Sequence, residues 1–224
     1  MIELDHVHKV YRRTWVALKD VSFRIDKGEF AFIVGPSGAG KSTLLRLLYV
    51  EEQPTSGSVV VVGCDTGRID RREIALLRRR LGVVFQDVKL LPDRNAYENV
   101  AFALEVTGVS KGGIRRRTLD ALSAVRLRHK WEAFPYQLSA GEQQKVALAR
   151  AVARDPAVLL ADEPTGNVDA AGAAEILGLL KDINARGTAV LIATHDLSIM
   201  SSTTFRVISL ENGEIRSDQR GMRG

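Results

Sequence analysis

Gly35-Pro36-Ser37-Gly38-Ala39-Gly40-Lys41-Ser42, followed by Thr43, meets the phosphate-loop pattern G-x-x-x-x-G-K-[ST] at every fixed position. Its flanks decide what the pattern means. Glu29–Val34 reads as a buried strand, and Thr43–Leu48 as the opening of a helix. In a strand–loop–helix unit the glycines let backbone N–H groups turn inward on nucleotide phosphates, and the helix N-terminus adds partial positive charge. Lys41 then reaches the terminal phosphates and the Ser42 hydroxyl ligates Mg²⁺. A Gly-rich turn that merely happened to carry Lys-Ser would not need such flanks.

Downstream, Ala157–Ala161 is apolar at every position, as a central parallel strand covered on both faces must be. It runs into Asp162-Glu163-Pro164. A carboxylate at that strand end, in a phosphate-loop protein, is placed to hold Mg²⁺ directly or through water, and Asp162 is that residue. Glu163 can polarise a water for attack on the γ-phosphate. The pattern predicts a helix over Ala170–Ala185 and a strand over Thr188–Thr194, making another βαβ unit. Phe205–Leu210 and Glu214–Arg216, joined by Glu211-Asn212-Gly213, read as a closing hairpin, and Ser217–Gly224 as a polar, frayed tail.

Upstream, Ile2–Val7 and Val21–Ile25 alternate as short half-buried strands, with Tyr11 in a polar connection between them. Ser58–Val62 is a β-branched strand, Arg71–Arg80 a charged helix, and Leu81–Phe85 a short strand ending at Gln86. From Ala96 to Arg154 the periods are helical, with Tyr97, Val100, Ala101 and Leu104 on one face and Ile114, Leu119, Leu122 and Val125 on another. Within this stretch Ser139 and Glu142 have capping-box spacing, which is a sufficient structural reason for both.

The chain has 224 residues, 45% hydrophobic and 26% charged, enough for one domain with an inserted subdomain. Its net charge of +5 is carried by arginine clusters such as Arg71-Arg72, Arg78–Arg80 and Arg115-Arg116-Arg117. Such clusters suit nucleic acid or an anionic membrane, and are also what solvated helix faces look like. The lone Cys64 has no internal partner, which favours a reducing compartment. No signal peptide or spanning apolar run is recognisable, so a membrane role is expected to pass through a partner.

Leu138-Ser139-Ala140-Gly141-Glu142-Gln143-Gln144, a short helix before the Asp162-Glu163 strand, resembles the signature motif of the ATP-binding cassette (ABC) ATPases. With the phosphate loop the whole motif set stands in order over nearly all of the chain. The resemblance implies an α/β phosphate-loop fold with an antiparallel β subdomain and an inserted helical subdomain. The core and β subdomain would take residues 1–88 and 155–224, and the helical subdomain 89–154. It implies ATP and Mg²⁺ as ligands. Tyr11 corresponds to the aromatic that stacks on adenine, and Gln86 to the glutamine that reaches Mg²⁺ and the attacking water. Ser139 and Gly141, with Glu142 beside them, correspond to signature residues that touch ATP held by the opposite subunit. Asp169, in Gly166-Asn167-Val168-Asp169, corresponds to the acid of the loop crossing the dimer interface, and His195 to the switch histidine that contacts the γ-phosphate.

The wording of Gly35–Arg46, Val83–Asp87, Leu90–Arg94, Glu98–Val106 and Asp162–Asn167 closely resembles the bacterial cell-division branch of the family, with Leu90–Val106 the deciding stretch. That branch implies an ATP-dependent homodimer, peripheral on the cytoplasmic side of the membrane, working through an FtsX-like integral membrane protein to control peptidoglycan hydrolases. An apolar face around Leu90, Leu91, Tyr97 and Val100 is the expected dock for that partner. The lipoprotein-release and macrolide-efflux ATPases share the Pro-Thr-Gly-Asn wording and are the nearest alternative. A soluble family member acting on nucleic acid or ribosomes is a third reading. A single uninterrupted cassette argues against it, so no direct nucleic-acid binding is expected. No Asn-Lys-x-Asp guanine-reading motif occurs. The sequence departs from the family at Ala140, where the signature usually has glycine, at Val168 for leucine, and in the bland Ala170–Ala174.

Overall fold

The computed structural model describes residues 1–12, 14–197 and 203–219. The chain runs β1 (Ile2–Tyr11), β2 (Trp15–Ile25), β3 (Phe30–Val34), α1 (Lys41–Leu48), β4 (Ser56–Val61), β5 (Cys64–Asp65), α2 (Arg71–Arg78) and β6 (Leu81–Val84). It continues with α3 (Ala96–Val106), α4 (Lys111–Ala124), α5 (Ala140–Val152), β7 (Val158–Asp162), α6 (Ala170–Ala185), β8 (Ala189–Thr194), β9 (Arg206–Glu211) and β10 (Glu214–Gln219). Short 3-10 turns at Arg128–Lys130 and Pro135–Gln137 join α4 to α5.

Six strands form one sheet in the order β10-β9-β3-β8-β7-β6, parallel except for β10. Its centre is apolar on both faces because both faces are covered. On β3, Ala31 and Ile33 pack into one core with α1, β1 and β2, while Phe30, Phe32 and Val34 pack into a second core with residues of α3–α6. A second, antiparallel sheet has the order β2-β1-β4-β5. The register puts Val34 beside Thr194 and Asp162 beside Ala193, so the loops after β3, β7 and β8 emerge together at one edge. That is where an open parallel sheet offers a ligand crevice.

Three local expectations change. The β1–β2 hairpin is longer than the alternation suggests, and Tyr11 is the last residue of β1, paired with Trp15, rather than part of a polar connection. Register shifts along β1 explain this, since each bulge breaks the period-two pattern. Ser217–Gln219 belong to β10, held by the ladder to β9 instead of fraying; Arg220–Gly224 lie outside the described residues. Val100 is fully buried beside Leu104 and Leu122, so it belongs to the core and not to an exposed docking face.

Candidate nucleotide site

The phosphate loop is built by close approach. A Cβ on Gly35 would collide with the Leu210 carbonyl, and one on Gly40 would sit 2.6 Å from the Ala17 oxygen. Gly40, at φ +106°, turns the chain directly into α1. Only glycine fits both positions. Pro36, Ser37 and Gly38 are exposed on the loop, Ala39 is buried behind it, and Ser42 and Thr43 open the helix. Lys41 is buried, its Nζ donating to the carbonyls of Gly35 at 2.7 Å and Pro36 at 3.1 Å. Burial holds the ammonium below the usual lysine range, with Glu163 and Asp162 acting against that shift.

Asp162 ends β7 beside Ser42. Burial pushes its carboxyl above the ordinary aspartate range, and hydrogen bonding to Ser42 works the other way. Its Oδ1 is buried without a hydrogen-bond partner. Glu163 follows with φ +46°, a left-handed backbone uncommon for a non-glycine residue, its N–H bonded to the Ala193 carbonyl at 2.9 Å. This turn aims Glu163 Oε1 to 3.9 Å from Lys41 Nζ and 3.0 Å from His195 Nδ1. Gln86 is exposed two residues past the end of β6, and its backbone carbonyl accepts from Asn167 Nδ2 at 3.5 Å.

The orphaned Asp162 oxygen and the Ser42 hydroxyl are the pair that could hold a divalent cation. Among the described residues no group of three or more His, Cys, Asp or Glu could do so alone. That donor set fits Mg²⁺, which keeps waters and phosphate oxygens in its shell and rarely sits in an all-protein cage.

The remaining expected residues lie elsewhere. Ser139 caps α5: its Oγ accepts from the Glu142 N–H at 3.3 Å, and Glu142 Oε2 accepts from the Ser139 N–H at 3.0 Å. Glu142 also takes the Lys130 ammonium at 2.6 Å, which holds its carboxyl below the usual range. Asp169 caps α6 by accepting from the Gly172 N–H. Ser139, Gly141, Glu142 and Asp169 line one shared cavity, whose walls include no phosphate-loop residue. Tyr11 stacks on Trp15 at 5.1 Å and contacts Arg46 of α1.

Three positioning contacts escape sequence reading. Trp15 backs Tyr11, Lys130 holds Glu142, and a 2.6 Å Lys145–Glu175 ion pair ties α5 to α6 inside the cavity. The Tyr11–Trp15 spacing is visible in the sequence as a possible hairpin pair. Nothing in the sequence links Lys145 to Glu175.

A phosphate loop on a parallel sheet, with a carboxylate pair at the end of β7 on the same sheet edge and a capped signature helix, defines an ABC-type ATPase. The ABC transporter family model matches residues 18–166, and the chain belongs to that family. It is 48% identical to the cell division ATP-binding protein FtsE of Bacillus subtilis over 225 residues, covering 100% of this chain and 99% of the relative. It is 49% identical to FtsE of Mycobacterium tuberculosis, covering 100% and 98%, and 48% identical to FtsE of Escherichia coli, covering 96% and 97%. A dimeric structure of the ATP-binding cassette MJ0796 in a post-hydrolysis state bound to ADP and Pi superposes with TM-score 0.89 at 36% identity, covering 100% of both chains. The protein is thus an FtsE-like, ATP-binding ABC ATPase.

Proposed function

We propose that the chain is the ATP-hydrolysing subunit of a bacterial cell-division complex. It binds Mg-ATP at the phosphate loop, closes head-to-tail as a homodimer around two nucleotides, and passes that motion to an FtsX-like integral membrane protein that controls peptidoglycan hydrolysis. The observation that carries the dimer is the separation of the two groups of site residues. The cavity of Ser139, Gly141, Glu142 and Asp169 includes no residue of its own phosphate loop, which supports a site completed by a second copy. The dimeric cassette relatives and the near-full-length likeness to FtsE support the same reading.

We assign the roles by the family resemblance, with the geometry in support. Gly35–Thr43 wraps the phosphates with backbone N–H groups, and Lys41 trades its loop carbonyls for phosphate oxygens. Ser42 and Asp162, with Gln86, would hold Mg²⁺, which would supply charge neutralisation on the phosphates. Glu163 polarises the attacking water, and His195, 3.0 Å away, orients that carboxylate and reaches toward the γ-phosphate. Tyr11 supplies the aromatic surface for adenine. Ser139, Gly141 and Asp169 face the partner copy's nucleotide, with Glu142 fixing Ser139. Closing and reopening move the helical segment 89–154 against the core and β portions, 1–88 and 155–224.

Among the described residues no helix is long and apolar enough to cross a membrane. In this reading the chain works peripherally, on the cytoplasmic side, through its partner. With Val100 buried and Tyr97 packed on Trp131, the proposed dock narrows to Leu90 and Leu91 beside Gln86. Leu91 is half-buried, while its backbone is clamped by Asn99. Leu91→Asp should therefore fold and bind ATP yet lose co-purification with the division-type membrane protein. Capture of an exporter permease by the wild type, or retention of the division partner by the variant, would sink this reading.

A further inference from the structure

The arginines of α4 and the turn after it are not equivalent. Arg117 pairs with Asp155, Arg126 with Asp182, and Lys130 with Glu142. Among the described residues Arg115, Arg128 and His129 have no side-chain hydrogen bond or ion pair. These three converge on a half-open groove whose other walls are Tyr97, Leu119 and Trp131. No carboxylate lines it. A second arginine-bearing cavity, with Arg116, Arg117 and Arg186, contains Asp120 and Asp155, which offset its charge in part.

The groove is held in place by backbone. The Trp131 and Ala133 carbonyls accept from the N–H groups of Tyr97 and Ala96, so the segment after the 3-10 turn is pinned on the start of α3. The Tyr97 and Trp131 rings meet edge-on at 5.8 Å. Arg115 and Leu119, one helical turn apart on α4, present a guanidinium above an apolar floor. Trp131 keeps 40% of its surface exposed at the rim.

An unpaired guanidinium pair is matched by a phosphodiester, and an amphipathic aromatic beside it is matched by the interfacial zone of a bilayer. A free phosphate would use the arginines and leave the aromatic wall idle. We propose that this groove binds anionic phospholipid headgroups directly, with Arg115 and Arg128 on the phosphate and Trp131 entering the interface. The chain then touches the membrane surface through its own residues, whether or not a membrane partner is present.

The test uses the purified full-length chain with vesicles of phosphatidylcholine alone or with about a third phosphatidylglycerol, an anionic surface of ordinary strength. The wild type should co-sediment with the anionic vesicles only. Each arginine near such a surface contributes about fivefold in partition, so R115E/R128E should lose at least about twenty-five-fold while ATP binding and circular dichroism stay unchanged. R116E/R186E makes the same change in net charge at the cavity that already holds two carboxylates and no aromatic wall, and should keep nearly all binding. In a W15F background the emission of Trp131, the remaining tryptophan, should shift to the blue with anionic vesicles. Any one of four results overturns the proposal. These are equal partition onto both vesicles or onto neither, equal loss in the two double variants, an unmoved Trp131 emission, and a single-stranded oligonucleotide that displaces the chain from vesicles through Arg115 and Arg128.

Discussion

If each site is shared between copies, two dead variants should revive one another. Lys41→Ala removes the buried ammonium that bonds Gly35 and Pro36 and faces Glu163. Losing one charge-assisted hydrogen bond of about 1.5–3 kcal/mol should weaken ATP binding at least about tenfold. The second lesion is best placed at Gly141. A Cβ there would meet only Val168 Cγ1 at 3.7 Å, so Gly141→Asp fits, and a carboxylate in the first turn of α5 suits the helix dipole. It would set a negative charge against the opposite nucleotide's γ-phosphate. Ser139 is a poorer choice because it caps α5, and losing that cap costs about 1 kcal/mol of stability by itself. Each variant alone spoils every site in its homodimer. Mixed at equal concentration with random pairing, about half the dimers are mixed and carry one intact site of two, giving about a quarter of wild-type ATPase activity. The assay is phosphate release against mixing ratio, with mixed dimers shown by tagged pull-down in ATP. Mixed dimers that stay silent at every ratio, with no disulfide between Ser37→Cys of one copy and Ser139→Cys of another, would refute the shared site.

Glu163→Gln should bind ATP but fail to hydrolyse it, accumulating as an ATP-bound dimer on size exclusion; normal turnover would move the base elsewhere. Asp162→Asn should stabilise the nucleotide-free protein by about 1 kcal/mol, or about 2–4 °C in Tm, while abolishing Mg²⁺-dependent hydrolysis, because it relieves a buried carboxylate with an orphaned oxygen. Since burial raises the Asp162 pKa, the folded state holds that proton more readily, and this residue's penalty grows as pH rises through the carboxylate range. The Asn variant's advantage should therefore be present at neutral pH and vanish in acid, which thermal melts across pH will show. Ala140→Gly should leave hydrolysis unchanged or raised, since Ala140 is exposed at the first position of α5. A tenfold fall, about 1.4 kcal/mol in the barrier, would mark the alanine as tuned.

Where local chemistry decides conformation, this chain is legible from its residues alone. The phosphate loop is named by glycines that no other side chain could replace at Gly35 and Gly40, and the apolar run before Asp162 can only be a strand covered on both faces. The helix Ala170–Ala185 is read to the residue, while its Asp169 cap is seen only in the structure. The antiparallel hairpin was less legible because bulges in β1 shift the alternation, and Tyr11 consequently looked like loop. Tertiary structure alone decides contacts that depend on register between strands distant in sequence. Glu163 meets His195 because β7 lies beside β8 with Asp162 opposite Ala193 and the backbone at Glu163 turns left-handed. Lys145 meets Glu175, and Trp131 meets Tyr97, only after helices from separate segments pack. The same packing chooses among the arginines. Three adjacent residues at 115–117 look alike in the chain, yet Arg117 is neutralised by Asp155 while Arg115 is left facing an open aromatic groove, because a pair is made by distance in space and not by spacing in sequence.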